Sequence, residues 1–125
     1  MKLWIVLIAV LVIGVALTSC SSSLSRYSEG GIRERILRDT PQGSTYTVVL
    51  NYATKKGWPA TEEPRGFETK RVAQSPARVV GKRAIKAYLG GYQGLPWRKD
   101  VNVYWVFNER DKLVEVFVEK QADAP

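Results

Sequence analysis

One thiol, no imidazole and one pair of adjacent carboxylates are what this chain offers for covalent or acid–base chemistry. The thiol is Cys20, and it closes an N-terminal stretch in which residues 3–17 are all apolar or glycine. Without histidine, imidazole general-base catalysis and the commonest metal ligand are both missing. A single cysteine allows no intramolecular disulfide. Glu62 and Glu63 stand side by side near Pro59 and Pro64, and neighbours in such a loop do not face one cleft as a glycosidase pair must. A phosphate cradle needs a helix N-terminus directly after its glycines, whereas Gly90, Gly91 and Gly94 are followed by Pro96 and a strand pattern. The residues therefore predict a protein that is not an enzyme and calls for no metal or cofactor.

What remains is binding chemistry. The segment GGYQGLPWRK, residues 90–99, places Tyr92 and Trp97 beside Arg98 and Lys99, a combination typical of protein-contact anchors. Two placements are open: the loop projects from the sheet as a partner-binding site, or its aromatics fold back as a lid on the core. Charge is uneven as well. From Lys55 to Lys99 there are eleven Lys or Arg residues against three carboxylates, while the remainder of the chain beyond residue 19 nearly balances. Lys82, Arg83 and Lys86 are the candidates for contact with an anionic envelope polymer or lipid head groups, and a merely solvated basic face is the plain alternative.

The elements that position these residues follow from pattern. Residues 21–31, SSSLSRYSEGG, have the composition of a flexible tether. Ile32, Ile36 and Leu37 recur at helical spacing and predict a short amphipathic helix ended by Thr40, Pro41, Gln42 and Gly43. A second helix is predicted from an N-cap at Ser44 to Lys55 and Lys56, with Gly57 as its stop and an apolar stripe at positions 46, 49, 50 and 53. Residues 60–81 read as a mostly irregular connection in which Phe67 to Val72 would form an edge strand. One strand is expected over Ile85, Ala87 and Leu89, ending at Gly90 and Gly91. A hairpin follows: Val101, Val103, Trp105 and Phe107 share one face of its first strand, Val114, Val116 and Val118 one face of its second, and residues 108–112 form the turn. The expected class is α+β, with one or two N-terminal helices packed on an antiparallel sheet of three strands, or four with the edge strand.

Two resemblances add to this reading. Leu17, Thr18, Ser19 and Cys20, behind Lys2 and the apolar run, resemble the lipobox that ends the signal peptide of bacterial lipoproteins. The apolar run is shorter than the roughly 20 residues of a stable span. The resemblance implies a signal peptide over residues 1–19, acylation of Cys20, a tether over 20–31 and one small domain over 32–125. It commits the only thiol to lipid, and export makes nucleic acid an unsuitable partner. Ser21 rather than aspartate after the cysteine implies, in Gram-negative lipoproteins, sorting to the outer membrane facing the periplasm. Gly43 and Ser44 opening a helix with Val48 one turn in, followed by the closing hairpin YWVFNERDKLVEVFV, resemble small α/β lipoproteins of the BamE/SmpA type, which share a fold with β-lactamase-inhibitor domains. That likeness implies an accessory protein that binds an envelope partner and is held to the bilayer by lipid.

Overall fold

The computed structural model describes residues 24–70, 75–94 and 97–122. Two helices, α1 (Glu29–Asp39) and α2 (Tyr46–Lys55), pack on one face of a four-stranded antiparallel sheet formed by β1 (Ala60–Glu63), β4 (Arg83–Tyr92), β5 (Lys99–Phe107) and β6 (Leu113–Ala122), in the order β1-β4-β5-β6. A separate two-stranded ribbon, β2 (Phe67–Glu68) with β3 (Val79–Val80), lies on the other face. The fold is α+β. Among the described residues no helix is long and apolar enough to cross a membrane.

The core forms where the predicted faces meet. Val101, Val103, Trp105 and Phe107 of β5 are fully buried against Ile32 and Ile36 of α1 and Val49 and Ala53 of α2, with Ile85 and Ala87 from β4. Trp105 packs beside Trp58, ring centroids 6.5 Å apart, and Tyr52 meets both edge-on. Its indole N–H donates to Thr40 Oγ1 at 3.1 Å, and the same hydroxyl donates to the Ile36 carbonyl at 2.7 Å. Thr40, which the sequence marks only as a helix breaker, is thus the one fully buried polar residue among those described and ties the end of α1 to the middle of the sheet.

Several local expectations change. The described residues open at Leu24 with a short 3₁₀ turn (Leu24–Arg26) whose Leu24 packs on the core, and α1 begins at Glu29 because Ser28 caps it, its Oγ accepting the Gly31 N–H. Within the stretch expected to be a flexible tether, residues 24–26 and 29–31 are therefore in a 3₁₀ turn and the first turn of α1, and residues 20–23 lie outside the described residues. Thr45, not Ser44, caps α2 by accepting the Val48 N–H, while Ser44 Oγ donates to the Pro41 carbonyl. Leu50 of the expected stripe is 37% exposed, since only Val49 and Ala53 of α2 reach full burial. The stretch read as irregular supplies the fourth sheet strand from residues 60–63, and Phe67 starts the ribbon instead of an edge strand. Val72 lies outside the described residues.

Bulges account for the other differences. Gly90 and Gly91 do not end β4: Gly90 pairs with Val101, Gly91 with Asp100 and Tyr92 with Lys99, after an irregularity between Tyr88 and Gly90 that takes up Leu89. Gly90, at φ +111°, adopts a conformation that side-chain-bearing residues avoid, so glycine here permits the bulge and the ladder resumes. A second bulge sets Phe107 against Leu113 and Val106 against Glu115, leaving Val114 unpaired and half-exposed, with Leu113 and Val116 buried. Gly81 turns β3 into β4 at φ +76°, where a Cβ would strike Val106 Cγ1. Glycine is required on both counts.

Candidate functional site

Strands β4, β5 and β6 run nine or ten residues, so the two ends of the sheet lie about 30 Å apart. The residues singled out for binding divide between them. Lys82 and Arg83 sit at one end with the turn of residues 108–112. Tyr92, Trp97, Arg98 and Lys99 sit at the other. Lys86 lies between, opposite Tyr104 on the face away from the helices, its Nζ 5.7 Å from the centre of that ring.

At the first end Arg83 is already engaged. Its guanidinium lies 3.6 Å over the Tyr46 ring, its Nη1 is 3.1 Å from Glu62 Oε1 and its Nε is 2.8 Å from Asp111 Oδ1, although that last contact is too bent for a hydrogen bond and the Nε is buried. Asp111 holds its place through the turn, at φ +57°, where Asn108 Oδ1 accepts the N–H groups of Arg110 and Lys112. Burial, and then the Glu62 carboxylate, push the Tyr46 phenol upward, so it stays neutral. Lys82 remains exposed, 3.8 Å from Glu109, beside an open cleft of about 470 Å³. The three basic residues therefore do not converge on one anion.

The second end is built around Gly91. Tyr88 on β4 donates its hydroxyl to Asp100 Oδ1 at 2.7 Å, and Arg98 Nε lies 3.5 Å from the same oxygen. A Cβ on Gly91 would fall 2.6 Å from Arg98 Nη2 and 2.5 Å from Asp100 Oδ1, so the missing side chain is what lets the guanidinium lie across the strand. Tyr88 and then Asp100 raise the Arg98 guanidinium above its already high value and keep it charged. On the helix side, Lys120 of β6 donates to the Tyr92 hydroxyl at 3.1 Å and to the Tyr27 carbonyl, and Arg35 stacks 3.8 Å over the Tyr27 ring. These contacts bind the segment before α1 to the end of the sheet that carries Trp97 and Arg98.

The four predicted contact residues thus behave differently. Tyr92 packs against the core, in the manner of a lid, whereas Trp97 is 42% exposed and Arg98, also exposed, lies across Gly91 beside Asp100. Lys99 is half-buried at the start of β5. Tyr88, Asp100 and Lys120 were not legible as participants, because their convergence depends on the bulge after Tyr88; the Gly90-Gly91 pair is the signal that could have suggested it. Cys20 lies outside the described residues. Among those described, no cluster of three or more carboxylate, imidazole or thiol side chains could hold a metal ion. No protein-family profile matches the chain, and no curated protein or solved structure is detectably similar to it.

Proposed function

We propose that this chain is a lipid-anchored envelope protein whose domain is a non-catalytic binding or assembly accessory, and that its contact surface is the sheet end bearing Trp97, Arg98 and Lys99. One observation supports this most. The lipobox-like cysteine stands four residues before Leu24, which packs on the core, and Lys120 contacts both Tyr27, three residues further on, and Tyr92 at the sheet end with the exposed tryptophan and its basic neighbours. Aromatic surface flanked by cations combines apolar burial with electrostatic steering. The other basic group is less suited to the role, since Arg83 already faces Glu62 and Asp111.

Metabolic labelling with palmitate tests the anchor. The wild-type chain should be labelled and cut before Cys20, and Cys20→Ala should lose both; a labelled, normally processed Cys20→Ala protein defeats the reading. Trp97→Ala tests the surface. Its melting temperature should stay close to that of the wild type, while photo-crosslinking from position 93 to an envelope component falls. Undiminished crosslinking would remove Trp97 from the contact surface.

A further inference from the structure

We propose that the component met by this sheet end is the anionic headgroup layer of the bilayer in which the chain is anchored, so that the domain stands on the membrane with Trp97 in the interface. The inference rests on the lipid-anchor reading and adds the orientation of the domain and the chemistry of its contact. Reach decides it. From Cys20 to Leu24 the chain can extend no further than about 14 Å, at 3.3 to 3.6 Å per residue. A headgroup layer is itself about 5–8 Å thick on each side of the hydrocarbon, so Leu24 is held no more than about 6–9 Å beyond its surface if Cys20 carries the lipid. Little room is left for a folded partner between that end and the bilayer.

The side chains at this end suit such a neighbour. Arg26 is exposed on the Leu24–Arg26 turn, Arg98 is exposed just before β5, and Lys99 and Lys120 are half-buried at the adjoining strand ends. The carboxylate placed among them, Asp100, is engaged by Tyr88 and Arg98, and the next along β6, Glu119, pairs with Asn102 further into the sheet. Lys120 presents its charge to the neutral oxygens of Tyr27 and Tyr92. Among the described residues, Arg26, Arg98, Lys99 and Lys120 outnumber the carboxylates near this end, Asp100, which is occupied, and Glu29 at the start of α1; that balance favours an anionic surface, and a half-exposed indole is the side chain that settles at headgroup depth. The turn of residues 108–112 lies at the opposite end and would face away; there Glu109 and Asp111 offset Arg110 and Lys112 and stand beside Lys82 and Arg83.

The test uses the processed, lipidated chain, in which acylated Cys20 leaves no free thiol. Gln93→Cys and Arg110→Cys, each labelled with a polarity-sensitive fluorophore, report the two ends in vesicles of phosphatidylethanolamine with phosphatidylglycerol. The probe at position 93 should shift to the blue and be shielded from iodide, the probe at 110 should do neither, and the shift should shrink in phosphatidylcholine alone or with Trp97→Ala and Arg98→Ala combined. Palmitate labelling of the same preparations separates the two claims. A labelled protein whose position-93 probe stays as wet as that at 110 overturns the inference and leaves the anchor standing. Shielding that occurs in native membranes but not in pure lipid overturns it in favour of a protein contact. An unlabelled preparation overturns both.

Discussion

Thr40 and Trp105 show how one hydroxyl decides the worth of a large side chain. An indole N–H buried without an acceptor costs roughly 1–3 kcal/mol, and Thr40 Oγ1 is the acceptor that Trp105 has. Thr40→Val, which keeps the shape and removes the oxygen, should lower the unfolding free energy by about that amount in a urea titration, while Thr40→Ser stays near wild type. Trp105→Ala should cost on the order of 3–5 kcal/mol, as aromatic core truncations do. In the double variant the two losses should fall short of their sum, because no N–H is left to satisfy; strict additivity would mean the bond contributes nothing. Burial of Trp105 was readable from its alternation with Val101, Val103 and Phe107. Its partner was not, since Thr40 is remote in sequence and helix-ending threonines are usually solvated.

At the scale of elements, α1 and β6 are joined by Arg33 and Glu115. Arg33 Nε donates to Glu115 Oε1 at 3.1 Å and to the Val116 carbonyl at 3.2 Å, and Glu115 also accepts the Val116 N–H at 2.9 Å. Burial alone would raise the Glu115 carboxyl, but the Val116 N–H and the Arg33 guanidinium hold it below the ordinary value of 4.5. A carboxyl depressed in the folded state stabilises the fold above its unfolded value and loses that contribution as pH falls through the folded one. Glu115→Gln should therefore be less stable than wild type at pH 7, by about 0.5–1 kcal/mol for a pair this exposed, and the gap should close below pH 4. A gap independent of pH would assign the effect to packing. The elements themselves were largely legible: both helices, the three long strands and the polar turn follow from periodicity and capping residues. What escaped was wherever two elements negotiate a bulge. Glycines at 90 and 91 imitate a strand end in the sequence and act as a hinge within a continuous ladder, and Val114 imitates a core position until the second bulge sets it aside.

For the whole molecule, the sheet's two outer edges matter as much as its faces. β1 is short and carries Glu62 and Glu63 before Pro64, features that discourage pairing with another chain. β6 is long, and its first half is covered: Gly43 donates to the Leu113 carbonyl, Leu113 donates to that of Ser44, Gln42 reaches the Val114 carbonyl and Arg33 that of Val116. Beyond Val118 the edge has no such cover among the described residues except where Lys120 reaches across to Tyr27. In deuterium-exchange mass spectrometry one strand should accordingly keep two clocks. Amides of residues 113–116 should exchange only when the whole domain unfolds, and those of residues 119–122 through local fraying that never crosses the global barrier. Because the fast-ticking half ends beside Lys99, at the sheet end proposed to meet lipid, vesicle binding should slow its clock and leave the other untouched.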